Sequence, residues 1–126
     1  MPVRKSIAGI ARKGNTYLIM KRKPGGSMGE TWEFPGGKVE GDESFEEAMH
    51  REWLEELEVD IAMGDELGQV SFSNKGQEYL LFGFYVEPVS EEWILHEHTR
   101  FLWATKEEIL ALPLSDSDRD LAAYLP

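Results

Sequence analysis

Residues 32–44 read WEFPGGKVEGDES, and 45–57 continue FEEAMHREWLEEL. A glycine pair, Gly36-Gly37, separates a strand-like Trp-Glu-Phe from a run dense in carboxylates. Ser44 and Glu47 stand at capping-box spacing, which predicts a helix from Phe45 to about Leu57. On a wheel of about 100° per residue, Phe45, Ala48 and Met49 fall within about 60° of Glu52. Trp53 and Leu57 widen this apolar stripe, while Glu56 lies about 40° from Glu52 and Glu55 about 60° to the other side. A solvated acidic face would lie opposite the apolar residues, but Glu52, Glu55 and Glu56 share their side. Carboxylates at i, i+3 and i+4 repel one another, and they are costly when half-buried and unpaired. Acidic helices are common on wet surfaces. The position of these acids on the core stripe points instead to hard oxygen ligands for Mg²⁺ or Mn²⁺. Arg51 stands one turn from Glu47 and from Glu55 and is expected to pair with one of them, either as a surface pair or to fix a ligand carboxylate.

Outward from this stretch, "SIAGIARKGNTYLIMKRK" predicts two strands joined at Gly14-Asn15. "WEF" is a short strand stopped by Pro35. "LGQVSFS" and "QEYLLFGFYVE" are strands around Asn74-Lys75-Gly76, the second covered on both faces. Residues 87–98 lack a period and read as a loop, and "TRFLWA" is a last strand. Thr105 with Glu108 caps a short helix to about Leu112, and "SDSDRDLAAYL" forms a C-terminal helix. The order β-β-β-α-β-β-loop-β-α-α implies an α/β (α+β) architecture, a mixed sheet with helices on each side.

The 126 residues suit one domain, 1–126, with 41% hydrophobic and 29% charged content. Thirteen Lys+Arg against 24 Asp+Glu give a formal net charge of −11. That leaves no basic footprint for a nucleic-acid polymer. An acidic chain still binds a phosphate compound when divalent cations lie between the two. The absence of cysteine excludes disulfides and thiol catalysis. With no apolar run of bilayer length and no signal-like N-terminus, a cytoplasmic protein without membrane contact is expected. No surface pattern marks a dimer interface.

From Gly37, five residues lead to Glu43 and seven more to Arg51-Glu52-Trp53-Leu54-Glu55-Glu56-Leu57-Glu58-Val59. This resembles the Nudix box, GX5EX7REUXEEXGU. Trp53 and Glu58 depart from it, standing where the pattern has an aliphatic residue and a glycine. "WEFPGGK" resembles the MutT-type branch, which acts on nucleoside triphosphates, and "FLWATKEEILALPLSDSD" resembles its closing strand and helix pair. The resemblance implies the Nudix α/β/α sandwich. It implies Glu52, Glu55 and Glu56 as metal ligands, joined by the Gly36 carbonyl, with Glu43 and Arg51 in support. Glu97, in the loop before the last strand, matches a ligand or general base of related enzymes. His96 and His98 flank it as alternative bases or as exposed loop histidines. Arg22 and Lys38 match phosphate contacts, although each also reads as a solvated charge.

Asp118 matches the residue that meets the base edge, with Glu33, Phe34 and Phe72 lining the same cleft. It reads equally as a helix N-terminal acid, and Ser115, Asp116 and Ser117 are alternative caps. The implied reaction is metal-assisted hydrolysis of a nucleoside triphosphate, of the 8-oxo-dGTP or CTP type, to the monophosphate and pyrophosphate. Glu55, Glu56 or Glu97 would take the proton. Two alternatives stand beside it. A nucleotide sugar or dinucleoside polyphosphate substrate is disfavoured by the short chain. A non-catalytic binding module is disfavoured by the intact carboxylates.

Overall fold

The computed structural model describes residues 2–26 and 29–126. Strand β1 (Arg4–Lys13) turns at Gly14-Asn15 into β2 (Thr16–Arg22), with Gly14 at φ 61°. The two strands pair only beside the turn, at Arg12↔Tyr17 and Lys13↔Thr16, and then diverge. β1 continues against β4 (Gly36–Lys38) and runs parallel to β6 (Gln77–Pro88), which pairs with β5 (Ile61–Asn74). β2 carries β3 (Trp32–Glu33) and β7 (His98–Ala104). The result is the expected mixed sheet, split along its length.

Alternation along β1 and β2 builds the layers. Ile7, Ala11, Leu18 and Met20 pack with α1 (Phe45–Leu57) on one side. Ala8, Ile10, Tyr17 and Ile19 pack on the other with Ile109 of α2 (Lys106–Leu110) and Leu121 and Ala122 of α3 (Asp116–Ala122). β6 meets both cores, Leu81 on one side and Phe82, Phe84 and Val86 on the other.

α1 begins with the predicted capping box between Ser44 and Glu47. It ends at Glu58, which takes the left-handed conformation, φ 55° and ψ 37°, at a place where glycine is favoured. Trp53 is fully buried, and a Cβ on Gly9 would lie 2.5 Å from its Nε1. A glycine in β1 thus makes room for the indole in a slot that the box pattern gives to smaller residues.

Two elements differ from the sequence expectation. β4 went unread because Gly-Gly-Lys carries little strand preference; its pairing with Ser6–Ala8 creates it. β5 starts at Ile61 rather than Leu67, since bulges between Met63 and Gly68 break the two-residue period. The loop at 89–97 is real but tethered. The amides of Ile94 and His96 donate to the carbonyls of Leu57 and Glu56, at the end of α1. Among the described residues no helix is long and apolar enough to cross a membrane.

Candidate active site

Arg51 holds the entrance of α1 together. Its Nε and Nη2 donate to both oxygens of Glu43, at 2.6 and 2.9 Å, and Nη1 donates to Glu52 Oε1 at 2.7 Å. Nη2 also donates to the carbonyl of Lys38 at 2.8 Å. Of the two pairings expected from spacing, Glu55 lies 3.5 Å away, whereas Glu47 is engaged elsewhere: its carboxylate accepts the Ser44 amide of the cap. The Arg51 hydrogen bond, with the Glu40 amide, pulls the Glu43 carboxyl down to about 2. The network therefore stays ionised at any working pH and orients Glu52. Gly37 lies directly beneath this carboxylate, and a Cβ there would come within 2.5 Å of it. On Gly36 a Cβ would strike the Ile7 carbonyl at 2.0 Å. The glycine pair is thus required by close approach on both of its sides.

The three helix carboxylates are not equivalent. Glu55 is exposed, Glu52 half-buried and Glu56 buried. Burial pushes the Glu56 carboxyl up to about 10, helped by the negative charges of Glu33 and Glu52. Its Oε2 is buried without a hydrogen-bond partner. Beside it, His98 Nε2 lies 2.9 Å from Glu33 Oε2 and 3.8 Å from Glu56 Oε1. Arg22 Nη1 approaches both oxygens of Glu33 at 3.3 Å.

A cleft of about 870 Å³ opens from this cluster toward α3. Arg22, Glu33, Gly36, Gly37 and Lys38 line it. Phe34, Phe72 and Asp118 line the same cleft. Phe72 stacks on Tyr79 with ring centroids 4.9 Å apart and planes 7° from parallel. Lys38 Nζ stands over the same Tyr79 ring. The cap of α3 is Ser115, whose Oγ accepts the Asp118 amide. This leaves the Asp118 carboxylate free of capping duty, although Ser115 Oγ also donates to its Oδ2 at 2.9 Å. Desolvation, with the charge of Glu33, pushes Asp118 up to about 7, so near neutrality it both accepts and donates.

The loop histidines also need correction. His98, read as an exposed loop residue or a base, is the buried first residue of β7 and belongs to the Glu33–Glu56 cluster. The Glu97 carboxylate is half-exposed and lies 3.8 Å from Lys23 Nζ. Alternation along the chain separates the two neighbours. His96 is exposed and pairs with Glu58. The sequence reading also missed the β5–β6 turn as a cleft wall. Ser73, Asn74 and Lys75 line the cleft, yet the hairpin signal says nothing of where its tip folds.

The donor set fits a divalent cation. Glu52 and Glu56 bring hard oxygens together, one buried oxygen lacks a partner, and the glycine cradle leaves no Cβ in the way.

A model of the NUDIX domain matches residues 2–125. The CTP pyrophosphohydrolase of Escherichia coli K12 is 31% identical over 112 residues, covering 89% of this chain and 83% of its own. The 8-oxo-dGTP diphosphatase of Proteus vulgaris is 44% identical over 52 residues, 41% of this chain and 46% of its own. The crystal structure of a MutT protein from Methanosarcina mazei Go1 superposes with a TM-score of 0.86 at 29% identity, over 98% of this chain and 93% of that one. With Glu52, Glu55 and Glu56 of the box carried on α1 and a domain match that runs almost from end to end, the chain belongs to the Nudix hydrolase family.

Proposed function

We propose that this Nudix hydrolase cleaves nucleoside triphosphates to the monophosphate and pyrophosphate with Mg²⁺ or Mn²⁺. The observation that carries the reading is the composition of the cleft. Glu33, the glycine backbone and the cations Arg22 and Lys38 line it together with the Phe72 ring and the titratable Asp118 carboxyl. The names of the relatives, one acting on CTP and one on 8-oxo-dGTP, agree with a triphosphate substrate.

Glu52 and Glu56 would hold the cation, with Glu55 at the rim and the Gly36 carbonyl opposite. When bound, the cation neutralises phosphoryl charge and lowers the pKa of a water. Arg51 keeps Glu52 in its rotamer while Glu43 keeps Arg51 in place. Lys38 and Arg22 meet charge on the phosphate chain, with Arg22 oriented by Glu33. Glu55, exposed and hydrogen-bonded to no other acid, is the group best free to take a proton. Phe72 offers a face to the base, and Asp118 meets its edge.

The test is a panel of nucleoside triphosphates, nucleotide sugars and dinucleoside polyphosphates with Mg²⁺, scored for pyrophosphate against orthophosphate. Pyrophosphate released from triphosphates supports the reading. Turnover confined to other linkages, or none at all, refutes it.

A further inference from the structure

We propose that Glu33, Glu56 and His98 form a divalent-cation site with a nitrogen ligand, beside the carboxylates of the box. The reading above uses only oxygen donors, from α1 and the Gly36 carbonyl. This site draws on three elements, β3, α1 and β7, and it rests on that reading in one residue, Glu56.

One donor atom from each of the three side chains lies within 4.8 Å of the others. The His98 nitrogen is 2.9 Å from Glu33 Oε2 and 3.8 Å from Glu56 Oε1. Ligand atoms bonded to one ion at about 2.1 Å lie roughly 3.0–3.4 Å from each other, so the three side chains stand near ligand spacing and close on a shared ion by movements of about 1 Å or less. The His98 side chain is fully buried and Glu56 is 5% exposed, so neither moves freely. Glu56 also keeps a buried oxygen with no hydrogen-bond partner. A cluster held together only by its own hydrogen bonds would not leave that oxygen idle.

Charge points the same way. Glu33, Glu52 and Glu56 stand close together, and the cation facing them from β2 is Arg22, 3.3 Å from Glu33. Arg51 reaches Glu52 but is itself shared with Glu43. An added dication balances what these arginines leave. Because imidazole is a softer donor than carboxylate, the site favours Mn²⁺, Co²⁺ or Zn²⁺ over Mg²⁺.

The test uses the purified chain, stripped with chelator and titrated with one to three equivalents of Mn²⁺, and pulsed EPR to detect nitrogen bound directly to the ion. The expected result is a ¹⁴N coupling that converts to ¹⁵N when the protein carries ¹⁵N-histidine. It should persist in His96→Gln and His50→Gln and disappear in His98→Gln, where Mn²⁺ binding at this site weakens at least about tenfold. The label works on the unsubstituted protein, so the result does not depend on whether His98→Gln folds. Bound Mn²⁺ without nitrogen coupling, or a coupling that survives His98→Gln, overturns this site and leaves the carboxylate reading standing. Failure to bind Mn²⁺ at all overturns both.

Discussion

Replacing Glu56 by Gln separates what the fold needs from what the site needs. Glu56 is buried, and its carboxyl is pushed far above its ordinary value by desolvation and by Glu33 and Glu52. An acid whose folded-state pKa is raised leaves stability intact below its unfolded value, near 4.5. Stability then falls as pH climbs toward the folded value, by about 1.4 kcal/mol per pH unit. At pH 7.5, three units above the unfolded value, the metal-free protein has lost about 4 kcal/mol on this account. Gln has the shape of the protonated acid and no proton to lose, so the variant escapes the loss. At roughly 3–5 °C per kcal/mol for a chain of this size, the melting temperature should rise by about 12–20 °C at pH 7.5. At pH 5 the rise should shrink to about 3 °C. The assay is thermal melting in EDTA from pH 5 to 9, for both proteins, beside turnover in Mg²⁺. The variant should be the more stable protein and nearly inactive. Mg²⁺ should stabilise the wild type increasingly with pH, because binding displaces the Glu56 proton, and should stabilise the variant less. A stability gap that does not widen with pH, or a variant less stable than wild type at pH 8 in EDTA, would refute the burial argument.

Glu58→Gly should stabilise the fold slightly. Relief of a left-handed non-glycine residue gains about 0.5–1 kcal/mol, and the exposed pair with His96 gives back part of it, so chemical denaturation should show a small gain and kinetics no change. Gly37→Ala should leave the melting temperature in EDTA within a few degrees, since the added methyl meets a side-chain end, yet lower kcat/KM more than about tenfold by displacing Glu52; an active variant would remove Glu52 from the site. Uridine and thymidine triphosphates should be the poorest substrates above pH 8, where Asp118 only accepts, by about tenfold to a hundredfold in kcat/KM. The gap should narrow toward pH 6 as Asp118 takes its proton, and it should be small and independent of pH in Asp118→Asn; equal losses on every base would assign base reading elsewhere.

What could be read from the sequence was what neighbours in the chain decide. The capping boxes at Ser44 and Thr105 and the turn at Gly14-Asn15 are local patterns, and the structure carries them out as expected; of the acidic stripe of α1, Glu52 and Glu56 lie toward the core while Glu55 is exposed. Contacts between distant segments were not legible. β4 exists because β1 is beside it, and the first part of β5 went unread because bulges hide its period. In the site, Arg51 was expected on Glu47 or Glu55 because those stand one turn away. Its main partner, Glu43, lies before the helix, where helical spacing has no say. His98 illustrates the same limit. One residue of strand register decides whether Glu97 or His98 faces the interior, and an irregular loop precedes them both. No period could fix that choice; the pairing of Arg22 with His98 does.

The grip of Arg51 constrains chain length. A single guanidinium bonds the Lys38 carbonyl, both oxygens of Glu43 and the Glu52 carboxylate, so residues 38 to 52 form a closed ring of fixed circumference. Changing side chains within that ring, at Val39 or Asp42 for example, leaves its span as it was. Inserting or deleting one residue between Lys38 and Ser44 does not: the glycine strand and the helix could then no longer reach the same arginine. Libraries meant to diversify this protein can randomise composition there but must hold the count.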